Sequence, residues 1–127
     1  MYKSKTSQTG STGEEIAAQF LQKKGFRIIA RNYRKPWGEI DIIAEKEGVV
    51  RFVEVKAISV AGDISRENND YHPEEQIHPE KLKKVVRTAE LYMASKKDDR
   101  EFQIDAVGVF LDHKKRQARC RLSEQIL

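Results

Sequence analysis

Charged side chains interrupt two apolar segments that otherwise have the composition of buried β-strands. The segments lie in Gly38–Lys56, GEIDIIAEKEGVVRFVEVK. Asp41 stands among isoleucines in the first segment, and the second ends in Glu54-Val55-Lys56. A two-residue turn at residues 47–48 would join the segments as a hairpin with Asp41 directly opposite Glu54, whereas a three-residue turn would separate the two carboxylates.

Asp41 and Glu54 are candidate ligands of a divalent cation. Directly opposed residues on neighbouring strands have Cβ atoms about 4.5 to 5.5 Å apart, so two carboxylates there repel each other. Burial adds a cost because each carboxylate loses hydration. A cation with oxygen ligands relieves both costs, and Mg²⁺ or Mn²⁺ is therefore the expected cofactor. The strands contain no histidine and the chain has one cysteine, which argues against zinc.

Lys56 follows Glu54 by two residues and so lies on the same face of the strand. A lysine there would orient an attacking water or neutralise a phosphate, while the cation polarises the phosphoryl oxygens. These roles describe metal-dependent hydrolysis of phosphodiester bonds. A purely structural salt-bridge cluster, in which Glu39 opposes and pairs with Lys56, remains an open alternative.

The apolar residues of the hairpin predict helices on both sides of it. Alternation puts four of them on one face, and Ile43 and Phe52 share the other face with the charges. The four are Ile40, Ile42, Val53 and Val55. An interior sheet is therefore expected. The predicted helices run from Thr12, in a capping box with Glu15, to Gly25, and from Pro79 over Leu82 to Met93. The predicted strands are Phe26–Tyr33, Glu39–Glu45, Val49–Ala57, Glu101–Leu111 and Gln117–Leu122, and Ser59–His78 is a long polar loop.

Composition predicts a soluble globular protein. The chain has 127 residues, 39% hydrophobic and 35% charged, so residues 12–127 are expected to form a single domain after a disordered N-terminal tail, residues 1–11. No apolar run has membrane-spanning length and the first residues lack the apolar centre of a signal peptide, so we expect a cytoplasmic protein with no membrane partner. The net charge of +4 permits a polyanionic partner.

Several ordered motifs resemble the bacterial UPF0102 (YraN-like) family over about Gly13 to Phe110. They are Gly13-Glu14 with Ala17, Ala18 and Leu21, then Gly25-Phe26, Asn32-Tyr33-Arg34, Gly38-Glu39-Ile40-Asp41 and Phe52-Val53-Glu54-Val55-Lys56. The spacing of Asp41 and Glu54-Val55-Lys56 also resembles the PD-(D/E)xK nuclease superfamily, which includes type II restriction enzymes and archaeal Holliday junction resolvases. This resemblance implies a restriction-endonuclease-like α/β core, a mixed central sheet of about five strands flanked by α-helices.

The resemblance also implies the site residues. Asp41, Glu54 and Lys56 match the catalytic motif, and resolvase-like relatives use a glutamate of the first helix near the metal, which corresponds to Glu14. Glu14 shares a helical face with apolar residues, which supports an inward side chain, so we predict Glu14 as a catalytic residue and third metal ligand and Glu15 as structural. Asp105 is expected to be a structural hydrogen-bonding group. Family members commonly have an arginine two residues after the lysine, and the isoleucine here removes a phosphate contact.

Basic residues near these motifs are candidate DNA contacts. Trp37, in the break between the first two strands, would stack on an unpaired base or plug local packing. His72 and His78 precede prolines, where turn formation or capping explains them better than metal binding. The predicted nucleic-acid-binding residues are Arg34, Lys35, Lys81, Lys84 and Arg87.

Two functions follow, with a third that is weaker. The first is a magnesium-dependent DNA endonuclease, selective for junctions or branched DNA, acting in repair, recombination or DNA uptake. The second is a catalytically silent nucleic-acid-binding or protein-interaction module on the same fold. The third is a structural partner in a larger complex. Cutting both strands of a symmetric junction would favour a homodimer.

Overall fold

The central feature of the fold is a five-stranded mixed sheet with one helix on each face. A computed structural model describes residues 5–59 and 77–127. The strands lie in the sheet in sequence order, and neighbours are antiparallel except for the parallel pair β3 and β4. This arrangement confirms the predicted restriction-endonuclease-like α/β fold. The described elements are α1 (Lys5–Lys23), β1 (Arg27–Lys35), β2 (Gly38–Lys46), β3 (Val49–Ser59), α2 (Pro79–Ser95), β4 (Phe102–Asp112) and β5 (Gln117–Ser123).

Two apolar clusters hold the helices against the sheet. Helix α1 packs through Ala17 and Leu21 onto one face, and α2 packs through Ala89 and Tyr92 onto the other. The ring of Phe52 meets that of Tyr92 edge to face, with centroids 5.6 Å apart. Because both faces are covered, most of β4 and the first half of β3 are buried, as the apolar residues of the hairpin predict.

The β2–β3 hairpin confirms the predicted two-residue turn. Lys46 pairs with Val49, and the pairing continues to Ile42 and Val53. The two turn residues, Glu47 and Gly48, have φ angles of 55° and 77°, as in the type I′ turn that matches the twist of the strands.

The pairing predicted beyond Ile42 and Val53 is wrong, because within the described hairpin the ladder ends there. The N–H group of Val55 donates to Oδ2 of Asp41, at 2.8 Å, instead of to a backbone carbonyl. The prediction that Ile40 and Ile42 share one face of the hairpin is also wrong. Ile40 packs in the apolar cluster under α2, whereas Ile42 packs in the cluster under α1. The carboxylate takes over the hydrogen bond of the ladder, and the strict alternation of side chains breaks at Asp41.

The helix ends agree with the sequence patterns at three of the four positions. At Gly25, with φ of 91°, Phe26 N donates to the Leu21 carbonyl at 3.0 Å and closes α1. Nδ1 of His78 accepts from Glu80 N at 3.1 Å and caps α2, as predicted. Helix α2 ends at Ser95, just beyond its predicted apolar stripe.

The predicted start of α1 at Thr12 is wrong, because the helix begins at Lys5. Residues 5–11, predicted as disordered tail, are therefore helical. Extending a helix that is already packed costs far less than nucleating one, so a polar stretch without an apolar stripe can continue it. Residues 1–4 lie outside the described residues. So do residues 60–76, with most of the predicted Ser59–His78 loop and with His72.

Candidate functional site

Two glycines let both helices approach the sheet at the end where Asp41 lies. A Cβ added to Gly13 of α1 would stand 2.5 Å from Cβ of Ala57 on β3. A Cβ added to Gly38 of β2 would meet the hydroxyl of Thr88 on α2. These close approaches bring side chains of both helices next to the strand ends.

The Gly38 contact gives a first prediction. Replacing Gly38 by Ala is expected to lower the free energy of unfolding by about 1 to 3 kcal/mol, because the new methyl group has no space against α2. Urea denaturation of the wild type and variant measures this loss. Adding Thr88→Ala removes the clashing hydroxyl, so the double variant is expected to lose less stability than the sum of the two single losses. Strictly additive losses would contradict the steric explanation.

Glu54 is the most buried of the candidate ligands, with a relative exposure of 1%. Neither of its carboxylate oxygens makes a hydrogen bond of good geometry with a described residue. Nζ of Lys81 lies 3.1 Å from Oε2 and forms an ion pair with this carboxylate. Burial and then the charge of Asp41 raise the pKa of Glu54 to about 7, against the opposing effect of Lys81. A buried carboxylate in this state lacks the hydrogen bonds that normally offset lost hydration.

Asp41 lies between the two helices and is half-buried. Burial raises the pKa of Asp41, although the Val55 N–H group and the charge of Lys81 oppose this effect. Glu14, on α1, is also half-buried, and burial followed by the charge of Asp41 raises its pKa. The structure therefore brings Glu14 and Glu54 each close enough to Asp41 to influence it electrostatically. We call these three residues the carboxylate cluster.

Neighbouring acidic residues have different surroundings. Glu15 is exposed and accepts from Nη1 of Arg31 at 2.6 Å, which agrees with its predicted structural role. Glu39 is exposed and lies 3.7 Å from Nε of Arg34, so the expected Glu39–Lys56 pair is wrong. Lys56 is exposed on β3, two residues from Glu54.

Asp105 is a fully buried carboxylate away from the carboxylate cluster. It accepts from Nη1 of Arg51 at 3.2 Å, from Nε2 of Gln103 at 2.8 Å and from Gln125 N at 2.8 Å. These hydrogen bonds hold the chain after β5 against β4 and confirm the structural role predicted for Asp105. The contrast with Glu54 is informative, since two buried carboxylates of one sheet differ fully in their hydrogen bonding.

The carboxylate cluster has the chemistry of a site for a hard divalent cation. All three side chains offer oxygen ligands, which hard divalent cations prefer. Among the described residues, however, no three acidic, histidine or cysteine side chains already converge on one point. Glu54 is drawn toward Lys81 on the α2 side, whereas Glu14 approaches from α1. Cation binding by all three therefore requires a carboxylate side chain to move.

A groove beside the carboxylate cluster collects most of the predicted DNA contacts. Its lining includes Arg34, Lys35, Lys81 and Lys84 together with Trp37. Arg87 is exposed on α2 but does not line this groove. The sequence predicts Lys81 as a DNA-binding cation but does not indicate its contact with Glu54. No periodic pattern could have revealed that contact, because a long polar loop separates the two residues in sequence.

The chain is similar to one family model and to many bacterial proteins. Residues 13–109 match the model of UPF0102, described as an uncharacterised protein family. A UPF0102 protein of Sulfurovum sp. is 41% identical over 99 residues, covering 77% of this chain and 80% of that protein. One from Wolinella succinogenes is 42% identical over 98 residues, covering 77% and 82%. One from Campylobacter jejuni is 39% identical over 100 residues, covering 79% and 81%. Across the described residues, no helix is both long and apolar enough to cross a membrane.

Proposed function

Because the chain belongs to UPF0102, an uncharacterised protein family, we propose its function from its own side chains: divalent-cation-dependent hydrolysis of DNA phosphodiester bonds. One observation carries the proposal. Glu54 is 1% exposed beside Asp41, and its ionic contact among the described residues is one lysine, Lys81, at 3.1 Å, although burial and the charge of Asp41 both disfavour its ionised form. A protein that needed this side chain only for stability would gain from hydrogen bonds to the carboxylate oxygens or from an apolar residue.

Glu14, Asp41 and Glu54 would hold Mg²⁺ or Mn²⁺, since carboxylate oxygens are the ligands that these ions prefer. When bound, the cation would polarise a phosphoryl oxygen and lower the pKa of the attacking water. Asp41 is fixed for this role by the Val55 N–H group, which orients its carboxylate at 2.8 Å. Lys56 is exposed on the same strand and would position the nucleophile or neutralise charge on the phosphate.

Lys56 gives a prediction that separates chemistry from folding. Replacing Lys56 by Met is expected to lower the cleavage rate by roughly 10²-fold while leaving Mn²⁺ affinity and stability unchanged, because the side chain is exposed. Single-turnover cleavage and calorimetric titration with Mn²⁺ measure the two effects. Lys83→Met is the matched control, since Lys83 is exposed and does not itself line the groove. Equal rates for both variants would contradict the role of Lys56.

DNA is the proposed substrate because cations surround the carboxylate cluster. Arg34, Lys35 and Lys84 line the adjacent groove and would contact backbone phosphates. A DNA substrate implies a cytoplasmic protein acting in repair, recombination or DNA uptake. Cleavage of both strands of a branched substrate would in addition favour a homodimer.

The alternative function is a nucleic-acid-binding or protein-interaction module without chemistry. The contact of Lys81 with Glu54, at 3.1 Å, favours it, because an ammonium group already offsets part of the buried negative charge. In that case the carboxylate cluster would need no cation.

End-labelled single-stranded, duplex, flapped and four-way-junction DNA distinguish the two functions. Each substrate is incubated with the protein in Mg²⁺, in Mn²⁺ and in excess EDTA. The proposal predicts cleavage of at least one substrate that depends on the divalent cation, and comparison of the substrates ranks branched against linear DNA. DNA binding without cleavage of any substrate would overturn the proposal and support the binding module.

A further inference from the structure

We propose that the groove around Trp37 binds an unpaired nucleotide, so that the protein engages single-stranded DNA segments next to its carboxylate cluster. This inference deepens the proposed function and rests on it in taking DNA as the ligand. We call this site the Trp37 groove. The residues that carry the argument are Arg34, Lys35, Trp37, Lys81 and Lys84.

The Trp37 groove has the size of a small-molecule site. It lies between the β1–β2 turn and the first two turns of α2, with a cavity volume of about 630 Å³. Protein sites for compact ligands usually have volumes of roughly 300 to 1,000 Å³. The close packing of Gly38 against Thr88 fixes the distance between the two walls. The groove is therefore built by the fold and not by a chance rotamer.

Trp37 is one of the few large apolar side chains that the described residues expose. Its relative exposure is 42%, so a large part of the indole surface is open to a ligand. It stands at a tight turn, because Lys35 and Gly38 on either side of Pro36-Trp37 are paired. A rigid turn that presents an indole ring to a polar groove offers a stacking platform for a nucleobase.

The charge of the Trp37 groove favours an anion. Four cations line it against two carboxylates, Glu39 and Glu80. Because Arg34 pairs with Glu39 and Lys81 pairs with Glu54, the cations left to bind an anion are Lys35 and Lys84. Both carboxylates already have basic partners, since Glu39 lies 3.7 Å from Arg34 and Glu80 lies 3.4 Å from Lys83. Among the described residues, Lys84 forms no ion pair, and the Lys35 ammonium lies over the Tyr33 ring, 5.4 Å from its centroid. Cations next to an exposed indole ring form the combination that binds a phosphate and its base together.

The position of Lys81 connects the Trp37 groove to the carboxylate cluster. Lys81 lines the groove, and its Nζ lies 3.1 Å from Glu54. A strand with one base stacked on Trp37 would therefore place a neighbouring phosphate near Lys81, which contacts Glu54. Bases inside a continuous duplex cannot stack on a side chain without leaving their partners. The arrangement thus selects flaps, gaps or single-stranded ends over continuous duplex.

The single tryptophan of the chain makes the test direct. The full-length protein is titrated in EDTA with a 15-nucleotide oligothymidylate and, separately, with a blunt-ended duplex of 15 base pairs, while Trp37 fluorescence is recorded. We expect saturable quenching by the oligothymidylate and little quenching by the duplex. Similar quenching by both, or none by either, would overturn the inference.

Variants measured by fluorescence anisotropy of labelled DNA test the two components separately. Trp37→Leu is expected to weaken binding of the oligothymidylate about 10-fold and duplex binding less than twofold, and Trp37→Phe is expected to restore most of the affinity. Leu91→Ala controls for loss of another exposed apolar side chain, 40% exposed on α2. Lys84→Gln is expected to reduce the slope of log affinity against log salt concentration by the amount of about one phosphate contact, whereas Lys83→Gln is expected to leave the slope unchanged. Equal affinities for wild type and Trp37→Leu would contradict the site.

Failure of this inference and failure of the proposed function are distinguishable. Trp37-dependent binding of single strands without any cation-dependent cleavage would retain the Trp37 groove and overturn the nuclease. Cation-dependent cleavage that Trp37→Leu leaves unchanged on flapped DNA would retain the nuclease and overturn the Trp37 groove.

Discussion

Replacing Asp41 by Asn is expected to abolish most DNA cleavage, with a rate reduction of roughly 10³-fold, while the fold persists. The asparagine carbonyl oxygen can still accept the hydrogen bond from Val55 N, so β2 and β3 keep their geometry. The substitution removes the charge at the centre of the carboxylate cluster, which the cation needs as a ligand. Single-turnover cleavage of the substrate that the wild type cuts best measures the effect.

Glu39→Gln is the matched control for Asp41→Asn. Glu39 lies two residues away on the same strand, but it is exposed and pairs with Arg34 at 3.7 Å. Its loss is expected to change the rate less than about threefold, since exposed ion pairs contribute little. An Asp41→Asn protein that is folded and cleaves as fast as the wild type would remove Asp41 from the mechanism.

Replacing Glu54 by Gln is expected to change stability and activity in opposite directions, with higher stability and lower activity. At pH 8 without divalent cations, the variant is expected to be more stable than the wild type by about 1 to 2 kcal/mol. The reason is that wild-type Glu54 is ionised at this pH although it is buried beside Asp41, and glutamine removes that cost. The full cost that corresponds to a pKa raised from 4.5 to about 7 is roughly 3 kcal/mol, and the buried amide and the lost contact with Lys81 offset part of it.

The pH dependence follows from the same raised pKa. Because folding raises the pKa of Glu54, the protonated form favours the native state, and this contribution is complete below pH 4.5. It is lost as the pH rises through about 7. The wild type should therefore lose free energy of unfolding between these pH values, and Glu54→Gln should lack that component. Urea denaturation at several pH values measures both curves. A variant less stable than the wild type at pH 8 would show that Glu54 is mainly the partner of Lys81.

Addition of Mg²⁺ extends the comparison of wild type and Glu54→Gln. A ligand that binds only the native state raises stability by RT ln(1 + [L]/Kd), so the wild type is expected to gain melting temperature at millimolar Mg²⁺. Glu54→Gln is expected to gain much less, whereas Glu15→Gln should respond as the wild type does, because Glu15 faces Arg31 outside the carboxylate cluster. Glu54→Gln would then be the most stable of these proteins without cations and would gain the least melting temperature when Mg²⁺ is added.

The sequence was informative where local rules decide the structure. A Glu-Gly pair between two apolar runs predicts a two-residue turn, and that turn fixes the register from Lys46–Val49 to Ile42–Val53. Apolar residues on both faces of the hairpin likewise predict the two covering helices. The sequence therefore predicts that Asp41 and Glu54 lie on neighbouring strands, as they do on β2 and β3.

The sequence does not predict the strand pairing where a side chain replaces a backbone group as hydrogen-bond acceptor. Counting outward from the turn assumes an unbroken ladder, but Asp41 accepts the N–H of Val55 and breaks the alternation of β2. The contact between Lys81 and Glu54 depends on how α2 packs against the sheet. That packing in turn depends on Gly38, because a residue with a side chain there would meet Thr88 of α2. Such tertiary contacts leave no periodic signal. The early start of α1 is a third failure, because propagation from a packed helix overrides weak local preference.

Binding of Mn²⁺ at pH 8 is the most direct measurement, because it does not depend on choosing the correct DNA substrate. At this pH Glu54 is largely ionised, given a pKa of about 7. Titration calorimetry is expected to show a cation site in the wild-type protein that Asp41→Asn and Glu54→Gln each weaken by about 10-fold or more, and that Glu39→Gln preserves. A wild type that binds no Mn²⁺ at millimolar concentrations, or variants that all bind equally, would contradict a cation site at Glu14, Asp41 and Glu54.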